Sequence, residues 1–168
     1  MKSIVIKNII ALLALVAASA GAFAQGVKGE KTFSLEAGYA EYNSSGLAGI
    51  EFTYRFSRHF RLAPSVDYVF RHNGSDALTI NINCQIPFAV ANRVEVFPLA
   101  GVCFSGWNGH SSGSEGDVTT RVTRFGLNIG AGASMRLSKK MIIGLAADYV
   151  IIKDFGGVEV MAKIGYVF

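Results

Sequence analysis

Hydrophobic and polar residues alternate with a period of two in eight segments of the chain. The segments cover residues 32–39, 48–56, 61–71, 78–88, 94–107, 124–136, 143–149 and 158–168. Successive side chains of a β-strand point to opposite faces, so each segment predicts a strand with one apolar and one polar face. Strands of about ten residues are long enough to cross a bilayer when tilted.

Clusters of Gly, Ser, Asn and Asp separate the predicted strands, as turns require. Four such clusters, at residues 43–46, 73–76, 108–117 and 154–157, alternate with tighter turns at 57–58, 91–93 and 138–140. An even number of antiparallel strands joined alternately by long extracellular and short periplasmic connections is typical of outer-membrane barrels. The predicted fold class is therefore an all-β, eight-stranded antiparallel up-and-down transmembrane β-barrel.

Charged and aromatic residues indicate which face contacts lipid. The apolar face carries no charge, and its aromatic residues gather at the two strand ends. One group is Tyr54, Phe56, Phe88, Tyr166 and Phe168, and the other is Tyr39, Tyr68, Phe70, Phe104, Phe125 and Tyr149. Bilayer interfaces select such belts, whereas a soluble eight-stranded barrel of the lipocalin type has no reason to sort residues by height. The pattern favours the membrane barrel.

The first 24 residues are typical of a secretory signal peptide. Lys2 and Lys7 precede an apolar run at residues 9–18, and small residues follow at Ala22 and Ala24. The run is too short to span a bilayer as a helix. We expect cleavage between Ala24 and Gln25, which gives a signal peptide at 1–24 and a barrel domain at 25–168.

Composition excludes several classes of protein. With 51% hydrophobic and 17% charged residues the chain does not match a disordered protein. The net charge of +4 falls to +2 without Lys2 and Lys7, so we expect no basic patch and no binding to nucleic acid.

The polar face of the strands carries six basic and five acidic residues, which are Glu36, Glu51, Arg55, Arg61, Asp67, Arg71, Arg124, Arg136, Asp148, Glu159 and Lys163. The interior of an eight-stranded barrel is just wide enough for side chains, and buried charges persist when they are paired. We therefore expect an ion-pair network that fills the lumen. A narrow conduit for small or hydrophobic solutes stays open as the alternative.

No motif predicts catalysis, a cofactor or a metal. Arginines beside the lumenal carboxylates favour ion pairs over acid–base chemistry. His110 and Ser112 resemble the dyad of outer-membrane lipid A deacylases, but they lie in a Gly/Ser-rich segment without rigid support. His59 and His72 have no partner at metal-ligand spacing. A lipid-A-modifying enzyme is thus the less favoured hypothesis.

The segment 94–107 is apolar on both faces in its first half, so its two faces are difficult to assign. We place Glu95 on the polar face, which defines the phase of the alternation in this strand. In this phase Cys84 faces lipid and Cys103 faces the lumen, so we expect two free thiols. Trp107 and Arg121 are the candidate contact residues of the loops.

The last three residues, Tyr166-Val167-Phe168, are similar to the C-terminal aromatic signal of small outer-membrane barrels. Over residues 25–168 the chain resembles the small eight-stranded barrels of the type of outer membrane proteins A, X and W. The resemblance implies a porin-like barrel in the outer membrane of a Gram-negative bacterium, with Tyr166 and Phe168 read by the barrel-assembly machinery. The Ala-Gln junction of the leader resembles those of secreted Bacteroidetes proteins.

These patterns together predict a non-enzymatic integral protein of the cell envelope with a structural or surface-interaction role. Its expected partners are outer-membrane lipids, the barrel-assembly machinery and a surface ligand bound by loops, and we expect a monomer.

Overall fold

The computed structural model describes residues 26–113, 116–153 and 156–168, so the predicted signal peptide at 1–24 lies outside the described residues. The strands are β1 Lys31–Ala40, β2 Ser45–Ser57, β3 Phe60–His72, β4 Ser75–Gln85, β5 Phe88–Ala91, β6 Val94–Gly113, β7 Gly116–Arg136, β8 Met141–Ile152 and β9 Gly157–Val167. A 3-10 turn, Glu41–Asn43, connects β1 to β2. Within the described ranges, no helix is long and apolar enough to cross a membrane.

The strands form one closed antiparallel sheet. Its order is β4-β3-β2-β1-β9-β8-β7-β6-β5, and β4 also pairs with β6. β5 continues β4 past Pro87, because Gln85 pairs with Leu99 and Phe88 pairs with Val96 of the same strand. Proline lacks an N–H group and interrupts the ladder at this point. Eight strands therefore close the barrel, which confirms the predicted fold class.

The alternation in the sequence corresponds to the two faces of this sheet. Outward residues such as Ile82 and Ile129 are exposed, whereas inward polar residues such as Ser65 and Asn81 are buried. β6 has the adopted phase, with Glu95 buried and Phe104 exposed. Both thiols are free as predicted, since Cys84 is exposed and Cys103 is buried on the other face.

Aromatic residues cluster at both ends of the outward face. At the inner end, which carries the connections 58–59, 92–93 and 137–140 and the residue Phe168, the rings of Tyr54 and Phe56 are 4.6 Å apart. At the opposite, outer end, the rings of Phe104 and Phe125 are 5.0 Å apart. Edge-on aromatic pairs add to the energy of burial, and their rings suit the two interfaces of a bilayer.

The connections predicted at residues 43–46 and 73–76 differ from the observed ones, and the connection predicted at 154–157 lies partly outside the described residues. β1 and β2 are joined by residues 41–44, two positions earlier than predicted, and β3 and β4 are joined by Asn73 and Gly74 alone. Asn73 and Gly74 both have positive φ, of 48° and 77°, which suits the two-residue hairpin turn that this pair of residues favours. Turn-forming composition at these places therefore marks tight hairpins.

The loop predicted at residues 108–117 is also wrong, because β6 and β7 continue as a projecting hairpin. Their pairing runs on to Gly113 and Gly116. The pairing of β6 with β4 ends at Gly109, and the pairing of β7 with β8 ends at Gly126. The hairpin therefore extends past its neighbours on both sides.

Ile82 lies midway along the β4–β5 strand and faces outward, so it tests the burial of this face in lipid. We expect Ile82→Arg to lower the free energy of unfolding by about 2–4 kcal/mol, as arginine does at a bilayer midplane. The measurement is urea unfolding of the protein refolded in lipid vesicles. The matched control is Val90→Arg at the inner end, where the expected loss is about 0–1 kcal/mol. Equal losses at the two depths would contradict a bilayer around this face.

Candidate functional site in the barrel lumen

A network of arginine and glutamate side chains occupies the inner end of the lumen. Arg55 Nη2 lies 2.6 Å from Glu95 Oε2, and Arg61 Nη1 lies 3.4 Å from the same oxygen. Arg136 Nη2 lies 2.7 Å from Glu30 Oε2, and Arg55 Nε lies 4.0 Å from Glu30 Oε1. Two acidic residues from different parts of the chain thus bind three arginines from three strands. We call Glu30, Arg55, Arg61, Glu95 and Arg136 the inner network.

Packing and backbone pairing hold this network in place. The Arg61 guanidinium stacks 4.3 Å over the ring of Phe97, and its Nε donates to Gln85 Oε1 at 2.6 Å. Glu30 is fixed because its carbonyl accepts a hydrogen bond from the Arg55 N–H at 3.0 Å. Charge-assisted hydrogen bonds of this kind are the strong ones in a low-dielectric interior.

The acidic partners at this end are residues that sequence reasoning missed. Glu30 precedes the first alternating segment, and Glu95 served to fix the phase of its strand without being included in the network. The signal for Glu95 was present, since it shares the polar face of β6 and is 6% exposed. A period-two pattern cannot find Glu30, because that residue lies before β1 begins.

Lys163 and carboxylates occupy the middle of the lumen. Lys163 Nζ lies 2.5 Å from Glu51 Oε2 and 2.9 Å from Glu36 Oε2. Glu36 is directly opposite Lys163 in the β1–β9 ladder, so the sheet register itself brings this pair together. Asp148 and Glu159 are also directly opposite one another and are both buried.

Amide side chains bridge the middle layer from β3 to β7. Asp67 Oδ2 accepts hydrogen bonds from Ser65 and from Asn81, each at 2.7 Å. Asn128 Nδ2 donates to Asn81 Oδ1 at 2.9 Å and to Asn83 Oδ1 at 3.1 Å. These bonds cross over β6 at Gly101, where a Cβ atom would lie 2.2 Å from Asn83 Oδ1. Glycine is therefore required at position 101 to let the amides meet.

The outer end of the lumen is apolar. A buried cluster there consists of Ala40, Leu47, Val69, Ala77, Trp107 and Met161, and Tyr42 from the 3-10 turn packs against it. The Tyr42 and Trp107 rings meet edge to face at 5.8 Å, and the Tyr42 hydroxyl donates to Glu159. The expectation that Trp107 lies on a loop surface is wrong, because Trp107 belongs to β6, is 3% exposed and faces the lumen of the barrel. We call this cluster with Tyr42 the outer cap.

The structure does not bring all eleven predicted residues together. Glu36, Glu51, Arg55, Arg61, Asp67, Arg136, Asp148, Glu159 and Lys163 lie in the lumen, divided between the inner network and the middle. Arg71 lies on the outer rim, exposed, with Nε 3.5 Å from Asp76 Oδ1. Arg124 is half-buried and lies opposite Ser105 in the β6–β7 ladder, two residues past the last pair of β7 with β8. His110 Nε2 contacts Asp76 Oδ1 at 2.7 Å, and the side chain of Ser112 lies outside the described residues.

A sequence profile of the family described as the outer membrane protein beta-barrel domain matches residues 10–168 of the chain. The chain belongs to this family. Membership places the barrel in the outer membrane and accounts for its exposed apolar face.

Solved outer-membrane barrels share this architecture. The N-terminal β-barrel domain of OprF from Pseudomonas aeruginosa aligns with a TM-score of 0.66 and 15% identity, over 84% of this chain and 98% of that one. Ail from Yersinia pestis gives 0.62 and 17%, over 84% and 100%. Neisserial surface protein A gives 0.62 and 15%, over 85% and 97%. No curated protein matches the chain. At these identities the likeness shows the fold alone.

In this outer-membrane barrel the C-terminal aromatic residues lie on the lipid face. Tyr166 and Phe168 stack with ring centroids 6.4 Å apart, and Phe168 also lies 6.4 Å from Phe52. The Phe168 N–H donates to the Lys31 carbonyl at 3.0 Å, so the strand end is paired.

The inner network makes Glu95 a sensitive position. We expect Glu95→Gln to lower the free energy of unfolding by about 3–5 kcal/mol, because the buried Arg61 then loses its carboxylate partner and Arg55 keeps only the more distant Glu30. Urea unfolding in lipid vesicles measures the change. Glu41→Gln is the control, since Glu41 is exposed and its loss should be within about 0.5 kcal/mol. A small effect of Glu95→Gln would show that the arginines do not depend on this carboxylate.

Proposed function

We propose that the protein is a non-enzymatic outer-membrane barrel whose lumen is closed by its own side chains and whose projecting hairpin serves contacts at the cell surface. The observation that carries the proposal is the filling of the lumen by two different layers. The inner network closes one end with ion pairs, and the outer cap closes the other with apolar packing. A solute would have to displace both.

The small cavity beside the inner network supports a closed barrel. A cavity of about 40 Å³ lies next to the inner network and extends to Lys163. Such a volume accommodates a few water molecules. A chain of ion pairs around so small a cavity opposes the passage of nutrients or ions, because charged groups would have to separate in a low-dielectric interior.

The contacts of the candidate catalytic groups support a non-enzymatic role. Glu36 and Glu51 share the Lys163 ammonium, and Asp67 accepts two hydrogen bonds from neighbouring side chains. His110 is engaged with Asp76 instead of being held against a nucleophile. General acid–base or nucleophilic catalysis needs a group held within reach of a substrate, and these groups are committed to structural partners.

The projecting hairpin supports the surface role. β6 and β7 extend past their neighbours at the outer end, which family topology directs toward the cell exterior. Two proteins of the same fold carry names that describe surface functions, namely the attachment invasion locus protein of Yersinia pestis and Neisserial surface protein A. The hairpin is the part of this chain best placed for comparable contacts.

The conduit alternative has one observation in its favour. Tyr42 belongs to a connection and not to the barrel wall, so this part of the outer cap can move while the sheet stays closed.

Single-channel conductance in planar bilayers separates the two functions. We expect no defined openings for the wild-type protein, because both ends of the lumen are filled. Combining Trp107→Gly with Arg55→Ala removes one large side chain from each end and should produce openings. Trp107→Phe with Arg55→Lys is the matched control and should stay closed. Defined openings of the wild-type protein would support the conduit.

A separate measurement tests lipid-modifying activity. If the purified protein leaves lipid A unchanged, the result supports a non-enzymatic role.

We also propose that Tyr166 and Phe168 act as an assembly signal in addition to packing at the interface. Phe168→Ser should sharply lower outer-membrane levels in cells, whereas the purified variant should still refold in detergent to a heat-modifiable band. Phe56→Ser removes another exposed aromatic residue of the inner end and is the control. Normal outer-membrane levels of Phe168→Ser would contradict the signal, and failure to refold would assign the defect to stability.

A further inference from the structure

Six exposed basic residues surround the inner end of the barrel. They are Lys28, Lys31, Arg58, Arg93, Lys139 and Lys140. Lys28 precedes β1, Lys31 is the first residue of β1, and the other four lie on the connections between β2 and β3, β5 and β6, and β7 and β8. The six residues thus encircle the opening. Among the described residues none of the six forms an ion pair. We call this set the basic ring.

The acidic residues of the inner end do not compensate the basic ring. Glu30 and Glu95 point into the lumen, where they bind the buried arginines of the inner network. The outer end differs, because Arg71 there contacts Asp76 and the exposed Glu41 and Lys153 carry opposite charges. Within residues 26–113, 116–153 and 156–168, the basic ring thus forms no ion pair, whereas Arg71 at the outer end does.

Two members of the basic ring lie at the height of the aromatic belt. Lys140 Nζ is 5.7 Å from the centroid of the Tyr166 ring, which faces outward. Lys31 shares the outward parity of Phe33 and pairs with Tyr54 in the ladder. Aromatic belts mark the headgroup region of a bilayer, and lysine side chains there extend their ammonium groups to the phosphates.

We propose that the basic ring binds the phosphate groups of anionic phospholipids in the periplasmic leaflet. The ring presents single charges from separate connections around the whole perimeter, which fits a shell of lipids better than one protein contacting one side. Each such charge near an anionic bilayer adds to the attraction. Charges scattered between residues 28 and 140 form a ring only after the barrel closes.

Electron spin resonance of labelled lipids tests this binding. The protein is refolded in phosphatidylcholine vesicles that contain trace spin-labelled phosphatidylglycerol or spin-labelled phosphatidylcholine. We expect the motionally restricted fraction to favour phosphatidylglycerol at least about twofold, and this preference to disappear in about 1 M sodium chloride. The variant Lys31→Gln, Arg58→Gln, Lys139→Gln, Lys140→Gln should lose the preference.

The control variant Arg71→Gln, Lys153→Gln removes charges from the outer end and should keep the preference. Heat-modifiable migration verifies that each variant is folded. Equal restriction of both lipids by the wild-type protein, or an unchanged preference in the inner-end variant, would overturn the proposal.

The leaflet is tested separately. Lys139→Cys in a Cys84→Ala background should be inaccessible to an impermeant maleimide on intact cells and should react after lysis. Labelling of intact cells would place the ring on the cell surface, next to lipopolysaccharide phosphates, and would overturn the leaflet assignment.

Discussion

The closure of the backbone ladder is the constraint on which the rest of the structure depends. In hydrocarbon, each unpaired amide costs several kcal/mol, so a sheet there has to pair every strand. β1 and β9 meet this requirement over a register that runs from Thr32 and Val167 to Ala40 and Glu159, and β4 and β6 pair between Ser75 and Gln85. Eight strands close around a narrow lumen, and each inward residue must fit its opposite neighbours.

This narrow lumen sorts its charges by height. The arginines meet Glu30 and Glu95 at the inner end, whereas Lys163 shares the carboxylates of the middle with neutral amides. Asn81, Asn83 and Asn128 connect strands without adding charge, which lowers the cost of burying polar groups in a low-dielectric space. An apolar cap then separates these groups from the outer surface. The lumenal side chains therefore form separate layers along the barrel axis, whereas the count of charges in the sequence predicts a single ion-pair network.

The sequence predicted which charged residues face the lumen, but it did not predict the height along the barrel axis at which each of them lies. Parity assigns Glu36 and Lys163 to the lumen, and the phase of β6 follows from Glu95. Parity cannot distinguish Arg55, at the inner network, from Arg71, on the outer rim, because both occupy the same face of adjoining strands. Turn composition has a similar limit. Asn73-Gly74 and the Gly/Ser-rich residues near 108–113 suit both a loop and a hairpin, and strand pairing with neighbours decides between them.

The outer cap was not predicted from the sequence, again because the alternation pattern does not place residues along the barrel axis. Leu47, Val69 and Trp107 are apolar residues on the polar face, so they weaken the alternation at the strand ends and read as irregularities of the pattern. These residues lie inside the barrel because the strands extend beyond the segments in which apolar and polar residues alternate regularly. β2 and β6 are two such strands.

The lumen and the rim of the inner end are linked through the same acidic residues. Glu95 and Glu30 stabilise the buried arginines, and by turning inward they remove the negative charge that could have paired with Lys31, Arg58 or Lys140. The exposed charge of the rim is thus a consequence of how the lumen is neutralised. A barrel that buried its acidic residues elsewhere would have a rim of mixed charge, as the outer end has with Glu41 and Lys153. The packing of the lumen and the positive charge of the rim therefore depend on the same distribution of carboxylates.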